Sequence, residues 1–168
     1  MATYTNKTYV AFDADNDIRY YRLMQAWKKN DSTSFNFYDA HDLNNLMPYS
    51  SEDTIKAKLA ERLRNTKVFV LLVGNSTKNL YKFVRWEIEQ ALKRNIPIIV
   101  VNLNGKRSED SNLCPAILNN KLAIHISFNQ KIIEHAIDNW ESLDASHRNK
   151  GETGAYYYKT SYYESLGL

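Results

Sequence analysis

Lys67-Val-Phe-Val-Leu-Leu-Val-Gly74 is the stretch that decides the fold. Its apolar residues run without interruption and without alternation, which is what a strand covered on both faces requires. Such strands lie in the middle of parallel sheets packed between helices. Reading forward, Asn75-Ser-Thr-Lys-Asn79 makes a crossing loop, a helix is expected from about Leu80 to Arg94, and Pro97 opens a strand at Ile98-Ile-Val-Val101. A polar stretch from Asn102 to Asn112 leads through Cys114-Pro-Ala-Ile-Leu118 to the strand Leu122-Ala-Ile-His-Ile126 and a helix over about Gln130 to Leu143. Residues 144–168 are polar and carry five tyrosines between Tyr156 and Tyr163. No periodicity assigns that segment, and its rings are expected to pack it onto the domain.

Reading backward, a helix over about Asp53 to Asn65 turns Ile55, Leu59 and Leu63 inward. Before it come the long polar loop Asp39 to Ser51, containing Pro48, and the alternating strand Ser34-Phe-Asn-Phe-Tyr38. The first strand, Thr8-Tyr-Val-Ala-Phe12, ends in Asp13-Ala-Asp15-Asn-Asp17, acids suited to a helix start. The helix after them places Ile18, Tyr21, Met24 and Trp27 on one side. Five strand-then-helix units predict an α/β, flavodoxin-like three-layer sandwich with a five-stranded parallel sheet in the order 2-1-3-4-5. One domain over 1–168 is expected, with its core at about 8–143. In such sheets ligands bind beyond the carboxyl ends of the strands where the order reverses, here between the loops after the first three strands.

Composition narrows the function. Of the 168 residues 43% are hydrophobic and 24% charged, near the globular average, so wholesale disorder is excluded. Twenty-two Lys and Arg against nineteen Asp and Glu leave a formal charge of +3, too small to point to nucleic acid. The one cysteine, Cys114, forms no intrachain disulfide, and His41, His125, His135 and His147 lack metal-ligand spacing, so no metal site is expected. No leader pattern and no apolar run of about 18 residues appears, so the expectation is a cytoplasmic protein without membrane contact.

The helix Leu80 to Leu92 is the most informative segment. At about 100° per residue, Leu80, Val84, Ile88, Ala91 and Leu92 form an apolar stripe, with Phe83 on its flank. Glu87 projects into the arc that ought to be covered, whereas Glu89 projects away. A carboxylate on an apolar arc is costly unless it is paired, protonated or in a wet cleft, so Glu87 is either a functional acid or one partner of an ion pair. Asp13, just beyond the first strand, is a second candidate; its bland alternative is helix capping. A calcium loop of EF-hand type fails there, because Ile18 and Met24 stand where glycine and glutamate are needed. A receiver domain fails because Val73-Gly74-Asn75 holds no phosphorylatable aspartate. A haloacid-dehalogenase-like phosphatase would use Asp13 and Asp15 with Ser76 or Thr77, but Glu109-Asp110 is a poor stand-in for its acidic pair. Asp39 and Asp42, on a loop long enough to act as a lid, suit ribose hydroxyls or plain turn duty. Pyrophosphate-cradling glycine motifs and serine or cysteine nucleophile motifs are absent.

Taken together, Tyr9-Val-Ala-Phe-Asp-Ala-Asp-Asn-Asp17, the loop from Tyr38, Phe69-Val-Leu-Leu-Val-Gly74 and Val84-Arg-Trp-Glu-Ile-Glu-Gln-Ala-Leu92 resemble the TIR-like domains of the bacterial Thoeris anti-phage system. The likeness runs from about Tyr9 to Asn139. TIR enzymes commonly carry an aromatic residue, a glutamate four residues later and a small residue four further on. Phe83, Glu87 and Ala91 match, with Phe83 where the family usually has tryptophan; Trp86 lies on another face. The resemblance implies that NAD is the substrate, that Glu87 is catalytic, and that Phe12, Asp13, Asp42, Phe83 and Trp86 bind substrate. It implies nicotinamide–ribose cleavage to a cyclic ADP-ribose-type messenger that activates a separate effector, after a phage-derived trigger. It further implies self-association through TIR–TIR contacts and no bound cofactor. The competing class is a TIR module that scaffolds other proteins without catalysis.

Overall fold

In a computed structural model, the structure describes residues 8–29 and 51–168. The strands are β1 (Thr8–Ala11), β2 (Val68–Val73), β3 (Ile98–Asn102), β4 (Ala123–Ser127) and β5 (Ala155–Tyr156). The helices are α1 (Ile18–Lys29), α2 (Glu52–Arg64), α3 (Val84–Lys93), α4 (Gln130–Asn149) and α5 (Thr160–Ser165), with short 3₁₀ turns at Thr77–Asn79 and Ala116–Leu118. Among the described residues all four strand pairings are parallel. Every residue of β2 is buried, as its unbroken apolar run demands.

Alternation along each strand divides the core in two. Val10, Phe12, Val70, Leu72, Ile99 and Ile126 face α1 and α4, meeting Tyr21, Met24, Ile133 and Trp140. Tyr9, Ala11, Phe69, Leu71 and Val100 face α2 and α3, meeting Leu59, Leu63, Val84, Ile88 and Ala91. Helix starts follow local chemistry: Ser51 Oγ accepts the Thr54 amide at 3.2 Å, and Asn129 Oδ1 accepts the Lys131 amide at 2.9 Å.

Among the described residues the sheet order is β1-β2-β3-β4-β5. Its first four members are the expected first, third, fourth and fifth strands, side by side as the order 2-1-3-4-5 has them. The segment expected as a second strand, 34–38, lies outside the described residues, so does the 39–50 part of the polar loop, and a strand from the tyrosine-rich segment completes the five. Gly154, at φ +107°, lets the chain turn so that its carbonyl accepts the Ala123 amide at 3.2 Å and Ala155-Tyr156 runs beside β4. Beyond it Tyr163 is fully buried, Tyr158 and Tyr162 stack at 5.3 Å, and the Tyr162 hydroxyl pairs with His135 Nδ1 at 2.8 Å. The helix expected from Leu80 begins at Val84, because the chain first makes a 3₁₀ turn that closes with the Leu80 amide on the Thr77 carbonyl at 3.2 Å.

Gly74 is required by proximity. A Cβ there would sit 2.3 Å from one carboxylate oxygen of buried Asp17 and 2.7 Å from the other. Gly74→Ala is expected to destabilise the fold by about 2 kcal/mol through this overpacking, read as a lower urea midpoint. Adding Asp17→Ala should restore most of the loss; equal losses in the single and double variants would refute the contact as its cause.

Candidate functional site

Two groups of polar side chains come from elements that end near the carboxyl edge of the sheet or pack on its α2–α3 face. The first is built on Asp13, two residues past the end of β1 and 1% exposed. One carboxyl oxygen accepts the backbone amides of Asp15 and Asn16 at 3.1 and 3.3 Å. The other accepts the Asn16 side-chain amide and the Ser76 hydroxyl, both at 2.8 Å. Burial pulls Asp13 upward, but hydrogen bonds from Asn16, Ser76 and the two amides overrule it and leave the carboxyl below its ordinary value. Neighbouring Asp17 goes the other way, raised by burial and by the charge of Asp13 against a weaker pull from Arg19. Asp13 therefore ties the loop after β1 to the loop after β2, and both its oxygens are engaged.

The second group centres on Glu87 in the first turn of α3. Helix periodicity turns it inward with Val84, Ile88 and Ala91, and it is 7% exposed. Among the described residues no lysine, arginine or histidine lies within ion-pair distance of it. Glu89, one step past Ile88, instead pairs in solvent with Arg85 Nε at 3.2 Å. The ion-pair alternative for Glu87 is thus not met within the described residues. Burial in apolar surroundings raises Glu87 to about 7, against a smaller downward pull from the Tyr9 hydroxyl. The positive end of the α3 dipole offers a charged Glu87 some relief.

Tyr9 was not singled out in the sequence. It is fully buried on β1, stacked on Phe69 at 5.6 Å with its hydroxyl towards Glu87. The available signal is a phenol in a strand whose other residues, Thr8 apart, are apolar. Burial and the Glu87 charge raise Tyr9 well above its ordinary value, with Arg62 of α2 opposing.

The other expected site residues separate. Phe83 and Trp86 stand with Glu87 on the α2–α3 side, half-buried, Phe83 beneath Lys82 Nζ at 5.3 Å and Trp86 beneath Lys56 Nζ at 5.7 Å. Phe12 lies across the sheet, stacked on Tyr21 at 4.5 Å in the α1–α4 core, so the structure does not bring it to Glu87. Asp42 lies outside the described residues. Clefts lined by described residues open between α3 and the 115–117 turn, along α2, and beside Asn95, Lys121 and Arg148; Glu87 lines none of these three. Among the described residues no cluster of three or more His, Cys, Asp or Glu is placed to hold a metal ion, and no helix is long and apolar enough to cross a membrane.

The family model described as Thoeris protein ThsB, TIR-like domain, matches residues 9–108, which include β1 from Tyr9 on, both loops tied by Asp13, and all of α3. The chain belongs to this family. No curated protein matches it. As a Thoeris TIR-like domain the chain has a TIR-type role in defence, and the matched span holds Tyr9, Asp13, Phe83, Trp86 and Glu87. Residues 109–168, including β4, β5 and the tyrosine-rich end, lie beyond the match.

Proposed function

We propose that this Thoeris TIR-like domain cleaves the nicotinamide–ribose bond of NAD, with Glu87 as the acid that stabilises the ribosyl cation. The observation that carries the reading is a carboxyl buried on the α2–α3 face without a cationic partner among the described residues, held at about 7 by burial. Such a group is poised to meet positive charge that appears only when substrate reacts.

The pyridinium of NAD is already a cationic leaving group. When the C1′–N bond breaks, its electron pair goes to the nicotinamide nitrogen and positive charge spreads over C1′ and the ring oxygen. No proton has to be donated, so one carboxylate suffices without a second acid. Ionised Glu87 in a low-dielectric setting stabilises that charge more than it would in water. Attack on C1′ by a nucleophile of the same ADP-ribose closes a cyclic product; attack by water releases ADP-ribose and a proton. Cyclisation therefore calls for a pocket that keeps water out until closure. Phe83 and Trp86 offer aromatic faces beside Glu87, while Asp13 and Asp42 would serve the substrate from the loops after the first two sequence-predicted strands; Phe12, packed across the sheet, takes no part. The cyclic product would act on a separate effector after a phage-derived trigger, with self-association completing the site. The setting is the cytoplasm and no cofactor is required, NAD being consumed as substrate.

Incubating the protein with NAD, with and without lysate of phage-infected cells, and identifying products by mass spectrometry tests the reading. Free nicotinamide with a dehydrated, cyclic ADP-ribose is the expected outcome. Absence of nicotinamide in every arm would favour the scaffold reading. Asp13→Asn is expected to weaken the loop tie and lower activity several-fold without abolishing it. Complete loss there, with Glu87→Gln fully active and magnesium required, would point instead to phosphoryl transfer.

A further inference from the structure

Tyr9 is fully buried, and its hydroxyl makes no hydrogen bond of ordinary geometry among the described residues. A buried phenol without a partner is a standing cost that Phe would avoid, which points to a role for the hydroxyl in another state of the molecule. β1 places Tyr9 on the α2–α3 face, in the cluster that also holds Val84, Ile88 and Ala91, the helical neighbours of Glu87. The stack on Phe69, with ring planes 13° apart, fixes the direction of the phenol.

We infer that Tyr9 is the positioning residue of Glu87: its hydroxyl is the donor that orients the carboxylate once the proton has left. While Glu87 keeps its proton, the two groups need not close a bond. When Glu87 ionises, the hydroxyl supplies a charge-assisted hydrogen bond inside an apolar shell, fixing which oxygen remains free to face the ribosyl cation. The inference rests on the reading of Glu87 as the NAD-cleaving acid, but the pairing itself is measurable without substrate. The surroundings isolate it. Strands β2 and β3 offer Phe69, Leu71, Val73, Ile98 and Val100 on this face. His125 of β4, three strands from β1, is held at about 4 by burial and stays neutral. The charged groups nearby are Arg62 and Lys56 on α2, with Lys82, Arg85 and Glu89 beside or on α3; among these Arg62 acts on the Tyr9 hydroxyl.

Tyr9→Phe removes one oxygen and keeps the stacked ring. Titrating the Glu87 side-chain carboxyl by carbon NMR in both proteins should show its midpoint about one pH unit higher in Tyr9→Phe, because a lost bond to the charged form disfavours ionisation. Chemical denaturation at pH 5 and pH 8.5 gives a second readout. The variant should equal or exceed the parent in stability at pH 5, where Glu87 is neutral, and fall below it at pH 8.5. NAD cleavage at pH 7 should drop about fivefold and recover at pH 9, as expected if the ionised fraction sets the rate. A Glu87 midpoint that is unchanged or lower, or a stability difference equal at both pH values, overturns the inference. Should Glu87 titrate as expected while Glu87→Gln still cleaves NAD, the pairing stands and the NAD reading falls; should the midpoint stay put while Glu87→Gln is inactive, the reverse holds.

Discussion

Glu87→Gln is expected to cut nicotinamide release by about 10²–10³-fold, the usual cost of removing one preorganised electrostatic group from a transition state. The amide matches the carboxyl in size and keeps hydrogen-bonding capacity towards ribose hydroxyls, so NAD binding should change little. What it cannot supply is negative charge opposite the ribosyl cation. The loss should therefore appear in kcat with KM nearly constant. Single-turnover measurement of nicotinamide formation separates this from slow product release. Undiminished turnover in Glu87→Gln would exclude Glu87 as the stabilising acid, whatever the architecture around it.

The same substitution should make the protein more stable above neutral pH, which rules out unfolding as the source of lost activity. The sign follows from proton counting. Below about pH 4 Glu87 is protonated in both folded and unfolded chains, so it contributes no pH dependence. Between the ordinary value of 4.5 and about 7, the unfolded chain releases a proton that the folded chain retains, and stability falls as pH rises. Above about 7 the full cost is present. At 1.36 kcal/mol per pH unit the gap amounts to about 3 kcal/mol at pH 8. Glu87→Gln should recover about that much at pH 8 and almost nothing at pH 4, measured as the difference in unfolding free energy. Asp13 contributes in the opposite sense, losing stability as pH falls through its depressed value, and Asp17 in the same sense as Glu87. Comparing the two proteins at each pH cancels those contributions. A stability gain that is constant with pH would mean that Glu87 is not desolvated in solution. A domain that keeps a buried acid at such a cost fits the pattern of functional sites that are destabilising where they stand.

Much of this molecule is legible in its sequence. The uninterrupted apolar run of β2, the Ser51 start of α2 and the inward Leu59 and Leu63 follow from local rules: an apolar run, a hydroxyl cap, a helical repeat. Helical spacing likewise put Glu87 on the covered arc and Glu89 in solvent. Chain-local patterns carry no information about which distant segments meet. Alternation puts Tyr9 and Phe12 on opposite faces at the sheet's first strand, and loop position alone, which points to Phe12, does not show that Tyr9 is the one on the Glu87 side. Similarly, the two residues of β5 are too few to show a period, and only their seating beside β4 makes them a strand.

Sequence by itself determined that an acid would lie on the buried side of the third helical segment, because a 3.6-residue repeat leaves that position nowhere else to go. Tertiary structure decided that this acid has no cation beside it among the described residues, that a phenol from the first strand faces it, and that its proton is held to about 7. Desolvation and partner choice are sums over neighbours from remote parts of the chain, and those neighbours exist only once the sheet and its helices are assembled.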